Sequence, residues 1–322
     1  FPRKEVEKYK VRKRNSLNNL VNSHGALIQR TFRELSLTGS PYSYPVGGKL
    51  KDLKKITSKR LQDKKDYFNS TVKKRIYITG PNNVLSIRNI IVEECGWSGE
   101  KAKFVRSVTY PKISREKTDI FLITVPKANQ AQVMMGRLLN HDEITRPELL
   151  SFSSGFLGGG FTSLLMRAVR TNGGLTYSIS AFAGGQKDYG RSGVATFTKN
   201  ESLEKLIETI NNTIESVRLN KFPEESLERA RGHLKGSYLF GFERSDAFLS
   251  QLMMLDHEGK SYQELYEFPQ KLQAIKKDEV INSIVNLYSW DKQVLVVLGN
   301  KNLKKSLKKF GKVKEVSYKT FL

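Results

Sequence analysis

Cysteine is nearly absent from this chain of 322 residues, which contains only Cys95. One cysteine cannot form an internal disulfide, and scarce thiols fit the cytoplasm and the periplasm equally well, so the compartment stays open. Long apolar runs are also missing, because none approaches the roughly 18 residues that a membrane-spanning helix needs. The sequence therefore predicts neither a disulfide framework nor a transmembrane segment.

Patterns that bind metals or activate nucleophiles are scarce as well. The triplet from His141 to Glu143 favours a surface turn over a metal or acid/base site. The serines before Gly155 do not form a G-x-S-x-G elbow, and no G-K-[ST] follows the three glycines at 158–160. The four histidines are too far apart in sequence to form a helical metal pair; they are His24, His141, His233 and His257. We therefore predict no metal bound by this chain and no catalytic residue that acts on its own.

Positive charge is abundant and uneven. The net charge is +23; residues 1–120 hold 27 Lys and Arg against 11 Asp and Glu (+16), and the remainder holds 28 against 21 (+7). Such a surplus attracts nucleic acid, anionic membranes and acidic partners without specificity. The basic runs at 10–14 and 73–75 lack interleaved aromatics, so a solvated lysine-rich surface is favoured over a specific nucleic-acid site.

Hydrophobic periodicity predicts mixed helices and strands that do not strictly alternate, which is typical of the α+β class. In residues 201–218 apolar side chains recur at spacings of three and four, as on one face of a helix. Helices are predicted at 4–34 (broken near 22–25), 55–71, 86–95, 147–158, 162–170, 201–218, from 223, 245–257, 262–272 and 278–287. Strands are predicted at 75–79, 119–125, 130–136, 175–182, 192–198 and 293–298.

Two parts of the chain have a similar order of elements. The predicted strand and helix from residue 75 parallel those from residue 293, which hints at two homologous halves. Residues 98–116 lack periodicity and are rich in turn formers, so we interpret them as a linker between residues 1–97 and residues 117–322. The chain begins at Phe1 rather than methionine, and we interpret it as processed or truncated, with the first half incomplete at its N-terminus.

The most informative stretch is residues 157–182, where a glycine-rich entry precedes a predicted helix that ends at Arg170. A Gly-Gly break follows, and then a predicted strand that begins near Tyr177. A helix-end arginine and a strand tyrosine are often structural. As a pair, however, they suit polypeptide substrates, since a guanidinium can bind a carbonyl or carboxylate and a phenol can donate to an oxyanion. The glycines Gly158, Gly159 and Gly160 are typical of close helix packing and flexibility.

These residues resemble the C-terminal half of the pitrilysin/insulinase-type inverzincin zinc peptidases, the family that includes insulin-degrading enzyme and mitochondrial processing peptidase. The similar features are L-G-G-G at 157–160, S-L-L at 163–165, Arg170 followed seven residues later by Tyr177, and the helix from Phe222. Residues 1–95, with P-Y-S-Y-P-V-G-G at 41–48, resemble the end of an N-terminal half. The resemblance implies two homologous α/β half-domains of the mitochondrial-processing-peptidase type.

In that family, zinc is held in the N-terminal half by an H-x-x-E-H helix and a downstream glutamate. This sequence has no H-x-x-E-H, and the resemblance places the glutamate near Asn15, in a stretch from Lys8 to Arg33 without any Asp or Glu. Asparagine is a poor zinc ligand. Restoring a missing N-terminus would therefore not complete a standard zinc site.

The resemblance implies a non-catalytic, zinc-less subunit of a two-chain peptidase. Arg170 and Tyr177 would bind a peptide substrate and stabilise the transition state at the zinc of a homologous H-x-x-E-H partner, in a heterodimer. One alternative is a scaffold or interaction protein on the same fold. Two others are a fragment of an enzyme with an unusual metal site and a nucleic-acid-binding protein.

Overall fold

The computed structural model describes residues 1–71, 74–80, 84–95 and 115–322. Contacts divide the chain into two compact units. The first comprises residues 1–17, the described part of 48–109, and 239–262. The second comprises residues 18–47, the described part of 110–238, and 263–322. Each unit therefore draws on separate stretches of the sequence.

Helices and strands are mixed, and the predicted α+β class is confirmed. The helices are α1 (Arg3–Asn18), α2 (His24–Ser36), α3 (Ser58–Thr71), α4 (Val84–Cys95), α5 (Pro147–Gly158), α6 (Leu203–Arg218), α7 (Glu224–Phe240), α8 (Ser245–Glu258), α9 (Glu264–Ala274), α10 (Lys277–Tyr288) and α11 (Lys304–Leu307). The strands are β1 (Asp119–Thr124), β2 (Gln130–Leu139), β3 (Ile179–Gly185), β4 (Gly190–Lys199), β5 (Val294–Gly299) and β6 (Val313–Ser317). In the described part of the chain, no helix is both long and apolar enough to cross a bilayer.

The six strands form one mixed sheet in the second unit, in the order β3-β4-β2-β5-β1-β6. Strand β1 lies parallel to β5 and β6, whereas β2 is antiparallel to β4 and β5, and β3 is antiparallel to β4. Every residue of β5 is buried, as expected for an apolar strand covered on both faces. The β3–β4 hairpin at the sheet edge carries the candidate site.

Each face of the sheet has its own core. On one face α2 places Leu27 and Phe32 against Met134 and Val296. On the other face α5, α6 and α10 bury a larger cluster that includes Phe152 and Tyr288. The predicted apolar face of α6 is confirmed because all six of its predicted members are buried; they are Leu203, Leu206, Ile207, Ile210, Ile214 and Val217.

The strand predicted at residues 75–79 is wrong. Residues 74–79 form no strand, although R-I-Y-I-T alternates as a strand would. Side chains rather than backbone groups hold this stretch, since Arg75 and Tyr77 both bind the Asp256 carboxylate of α8. Alternation alone does not make a strand, since a strand also needs a hydrogen-bonding neighbour. The predicted linker lies outside the described residues except for 115 and 116, and the division into halves stays a prediction.

Strand β6 was missed because its five residues, V-K-E-V-S, are short and charged. Such a strand suits the edge of a sheet, where charged side chains reach water and discourage pairing with other chains. Lys314 binds Asp119 of the neighbouring β1 at 2.7 Å, and Lys304 binds Glu315 at 3.0 Å. Backbone pairing with β1 forms this strand, and these solvent-exposed ion pairs lie along it.

The triplet at 141–143 has a structural role. Glu143 binds the Arg137 guanidinium at 2.6 Å and accepts from the Asn140 backbone N–H at 2.9 Å, which caps the turn. Burial raises the pKa of Glu143, but the hydrogen bonds from Arg137 and Asn140 outweigh burial, so the pKa lies below its ordinary value of 4.5. The structure thus agrees with a turn here rather than an acid/base site.

Replacing Glu143 with glutamine should lower the melting temperature by about 2 °C at pH 7, because it removes charge-assisted bonds worth about 1 kcal/mol. A carboxylate whose folded pKa is lowered stabilises the protein above its unfolded pKa, and the gain is lost as pH falls through the folded pKa. The difference between wild type and Glu143→Gln should therefore shrink below pH 4.5. The exposed Glu116→Gln is the control; a difference that stays constant down to pH 3 would contradict this account.

Candidate functional site

Arg170 lies in a wide helical turn rather than in the regular helix predicted for residues 162–170. Residues Met166–Thr171 form a π-helix, in which the Asn172 N–H donates to the Arg167 carbonyl at 2.9 Å. Single π-turns occur often at functional sites. The Arg170 side chain is exposed, and its Cζ lies 5.3 Å from the ring centroid of Phe161, which is itself 76% exposed. The guanidinium thus stacks on an aromatic ring supplied by the glycine-rich segment.

The Gly-Gly break returns the chain from this helix toward the sheet, as predicted. Gly174 has a φ of +58°, a left-handed conformation that glycine adopts without steric cost. Its N–H donates to the Arg170 carbonyl at 3.0 Å, and the Leu175 N–H donates to the Val169 carbonyl at 2.9 Å. These two bonds fix the segment after the break against the turn that carries Arg170.

The strand predicted to begin near Tyr177 begins two residues later, at Ile179. Before the backbone hydrogen bonds between β3 and β4 start, threonine hydroxyls of β4 bind residues 175–178. Thr198 donates to the Leu175 carbonyl at 2.6 Å, and Thr196 donates to the Ser178 carbonyl at 2.8 Å. The backbone on both sides of Tyr177 is therefore bound to β4.

The Tyr177 side chain itself is 80% exposed. Within the described ranges, its hydroxyl has no hydrogen-bond partner and neither does the Arg170 guanidinium. An exposed side chain of this size, on a backbone that is hydrogen-bonded to β4, is available to contact a ligand. The two predicted residues thus project from connected segments whose backbones are fixed by hydrogen bonds.

The three glycines before this segment differ in their surroundings. A Cβ on Gly158 would lie 2.4 Å from the Ala181 backbone nitrogen of β3, so only glycine allows α5 to approach the strand this closely. A Cβ on Gly160 would meet nothing within 4 Å. Close packing therefore explains Gly158, whereas Gly160 lies at the open entrance to the segment that carries Phe161.

Replacing Gly158 with alanine should lower the free energy of unfolding by about 1–3 kcal/mol, because the added methyl forces α5 away from β3. Gly160→Ala should change it by less than about 0.5 kcal/mol, since its methyl enters open space. Urea denaturation of both variants measures the difference. Equal destabilisation by the two substitutions would contradict the packing role assigned to Gly158.

A cavity of about 560 Å³ lies beside the glycine-rich segment. It is lined by the C-terminal half of α5, by residues 159–163 and by one side of α7, with Phe156, Phe161 and His233 among its side chains. Sequence reasoning missed His233, since nothing in the sequence indicates that α7 faces the glycines. The cavity is large enough for an amino-acid side chain and opens next to Arg170's aromatic neighbour.

A zinc site does not fit the residues of this chain. Asn15, at the position implied for the glutamate ligand, is exposed on α1, and an amide is a poor ligand for zinc. Among the described residues, no three His, Cys, Asp or Glu side chains lie close enough to hold a metal ion. Arg170 and Tyr177 can bind and orient a substrate, but neither can activate water.

Comparison with protein-family models shows to which family the chain belongs. The family model described as the Peptidase M16 inactive domain matches residues 56–234, which include the glycine-rich segment, Arg170 and Tyr177. The chain belongs to this family. The description of an inactive domain agrees with the prediction of a non-catalytic, zinc-less member of a zinc peptidase family.

Relatives of this M16 inactive domain include proteases and a respiratory-complex subunit. An uncharacterized zinc protease of Streptomyces coelicolor is 28% identical over 128 residues, or 39% of this chain and 28% of that protein. Subunit 2 of the mitochondrial cytochrome b-c1 complex of Mus musculus is 23% identical over 137 residues, or 42% of this chain and 30% of that protein. The matched part is less than a third of the length of either relative.

Solved structures share the fold of this M16 inactive domain. The crystal structure of a peptidase M16 inactive domain from Pseudomonas fluorescens gives a TM-score of 0.77 and covers 94% of this chain and 72% of that chain. The identity is 18%, so the likeness establishes the architecture alone. The α+β fold is therefore common to the family, and function must be argued from the site.

Proposed function

We propose that this M16 inactive domain is the substrate-binding subunit of a two-chain peptidase. Its partner would be a homologous chain that carries H-x-x-E-H and zinc, and the two would form a heterodimer that hydrolyses peptides. The observation that carries the proposal is a pair of exposed side chains, Arg170 and Tyr177, without hydrogen-bond partners among the described residues, on hydrogen-bonded segments of an inactive family member. Retention of such a pair without a fitting metal site is best explained by a site completed elsewhere.

Arg170 has the chemistry to position the peptide. Its guanidinium presents a planar set of N–H donors that can bind a peptide carbonyl or a carboxylate through two bonds. Stacking on Phe161 leaves the edge of the guanidinium free for such bonds while it restrains the side chain. The cavity beside Phe161 would receive a side chain of the same peptide.

Tyr177 has the chemistry to stabilise the transition state. A phenol without a hydrogen-bond partner among the described residues can donate a hydrogen bond to the oxygen that becomes negative when water attacks a peptide carbonyl. The threonine bonds from β4 already fix the backbone of residues 175–178. The phenol can therefore reach the transition state with little reorganisation of the protein. The partner's zinc would supply the activated water, and this chain would bind and orient the substrate.

Reconstitution tests this function. The purified chain is mixed with a homologous H-x-x-E-H chain from the same organism, and cleavage of fluorogenic peptides is followed for each chain alone and for the mixture. We expect activity in the mixture that greatly exceeds the sum of the separate activities. A mixture that forms a complex but cleaves no faster than the partner alone would rule out the proposed role.

A second candidate is a non-proteolytic scaffold on the same fold. It is supported by the alignment with subunit 2 of the cytochrome b-c1 complex. Purification of the chain from its native source separates the two candidates. A stable assembly without any H-x-x-E-H chain favours the scaffold, whereas copurification of such a chain favours the peptidase subunit.

A further inference from the structure

A buried hydroxyl without a partner lies at the far end of the β3–β4 hairpin. The Gln186 N–H donates to the Tyr189 carbonyl at 2.7 Å and closes the turn. Tyr189 is only 4% exposed, and its ring stacks on Tyr42 of the loop after α2, with 4.2 Å between the ring centroids. Its hydroxyl has no hydrogen-bond partner within the described residues. A buried donor of this kind destabilises the fold unless a ligand or water binds it.

Arg191 brings a positive charge to the same place. In the sheet, Arg191 of β4 lies opposite Leu138 of β2 and Gly184 of β3. Ala195 of the same strand packs in the core under α2, and because side chains alternate along a strand, Arg191 lies on that same face. In the part of the chain that the structure describes, no carboxylate or carbonyl accepts from its guanidinium. Burial lowers the pKa of Arg191, and the charge of nearby Arg33 lowers it further, while Tyr189 acts in the opposite direction. Tyr189 precedes Arg191 by two residues, so strand alternation directs both side chains to the same face.

Arg33 is held beside the same aromatic stack from α2. Its Nε donates to the Tyr42 carbonyl at 3.0 Å, and its two terminal nitrogens have no acceptor among the described residues. The neighbouring carboxylate of Asp188 accepts from the Tyr42 hydroxyl at 2.7 Å and forms no described ion pair with either arginine. Each guanidinium is therefore partly buried without an ion pair among the described residues, which is unfavourable unless an anion binds there.

We propose that Arg33, Tyr189 and Arg191 form an oxyanion-binding site that takes one carboxylate or phosphate group. Each guanidinium can donate two bonds to such a group, and the buried Tyr189 hydroxyl can donate one more. One bound oxyanion would offset the positive charge of the two guanidinium groups and accept a hydrogen bond from the buried hydroxyl. We call these residues the two-arginine site.

The two-arginine site is separate from Arg170 and Tyr177. Tyr177 precedes β3 and Tyr189 follows the turn after it, so the strand separates them by roughly 25 Å. The site therefore binds a different ligand, or a different part of a long ligand, from the candidate peptidase site. Loss of one can be measured without loss of the other.

Calorimetric titration of the whole chain tests the site. Inorganic phosphate is one probe, and a short peptide amide with a single aspartate is the other, against the same peptide with asparagine; ionic strength is kept constant with chloride. We expect saturable binding of phosphate or of the aspartate peptide. The probe that binds more tightly identifies the source of the oxyanion, and the asparagine peptide should not bind.

Substitutions at the three residues test whether they bind the oxyanion. Arg191→Gln and Arg33→Gln should each weaken binding about tenfold or more, and Tyr189→Phe about fivefold. The control Arg218→Gln removes an equal charge from an exposed ion pair with Glu215 and should change affinity less than about twofold. If the control weakens binding as much as the site variants do, the affinity reflects general charge attraction and the proposed site is wrong.

Tyr189→Phe also separates binding from folding. Its hydroxyl has no hydrogen-bond partner in the described part of the chain, so its removal should leave the melting temperature in chloride buffer unchanged or higher while the affinity falls. A lower melting temperature with unchanged affinity would assign the hydroxyl a structural role instead. Absence of saturable binding of both probes to the wild type would overturn the proposal outright.

Discussion

Replacing Tyr177 with phenylalanine should lower the kcat of the proposed two-chain peptidase by about 10²- to 10³-fold, with little change in KM. The phenol is expected to bond to the oxyanion only in the transition state, and loss of one such donor typically has this effect. The measurement is the steady-state cleavage of a fluorogenic peptide by the reconstituted pair. Folding should be unaffected, because the side chain is 80% exposed and contributes no described hydrogen bond.

The matched control is Tyr266→Phe, which removes the same atom from a tyrosine that is 70% exposed on α9 of the same unit. Its kcat should stay within about twofold of the wild type, since surface substitutions away from the site rarely have larger effects. Equal kinetics for the Tyr177 and Tyr266 variants would remove Tyr177 from the mechanism.

Arg170 should behave differently from Tyr177, since it is expected to bind the ground state as well. Arg170→Ala should raise KM and lower kcat/KM by about 10²-fold, and Arg170→Lys should restore only part of the loss, because an ammonium cannot form the paired bonds of a guanidinium. Arg229→Ala, at an exposed arginine of α7, is the control. Full rescue by lysine would mean that the charge alone is required.

Local patterns predicted much of the fold. The apolar spacing of α6 depends on neighbours in sequence, and the structure has this helix near its predicted bounds. The π-turn at Arg170 was not predicted, because its sequence is compatible with an ordinary α-helix and the widening arises where the chain turns toward β4. The five residues of β6 likewise become a strand only because β1 lies beside them.

The candidate site was predicted as residues but not as geometry. Resemblance to a peptidase family predicted a functional role for Arg170 and Tyr177, whereas their sequence spacing by itself favours a structural one. The threonines of β4 that hold the Tyr177 segment and the His233 side of the cavity are 18 or more residues away in sequence, so no local pattern reveals them. The buried Arg231 is a third such case, since a charged residue in an amphipathic helix is usually exposed.

Replacing Arg231 with methionine should destabilise the protein more than any other substitution considered above, by about 3–5 kcal/mol in urea denaturation. Arg231 is only 7% exposed on α7. Its terminal nitrogens donate to the carbonyls of Leu272, Gln273 and Ile275, where α9 ends and its last carbonyls have no partner within the helix. Its Cζ also lies 4.7 Å from the ring centroid of Phe152 on α5.

Methionine keeps most of the apolar volume of arginine but has no donors, so the variant removes the bonds to these carbonyls together with the pair to Glu228, without leaving a large cavity. Arg231→Lys should recover only a fraction of the stability, because one ammonium cannot reach carbonyls on both sides of the helix end. Arg229→Met, two residues earlier on the exposed side of α7, should cost less than about 1 kcal/mol, since its pair with Glu225 lies in solvent. If the Arg229 and Arg231 variants unfold at the same urea concentration, the end of α9 does not depend on Arg231. Because α7 also lines the cavity beside Phe161, a large loss for Arg231→Met would tie the shape of the candidate site to this one buried guanidinium.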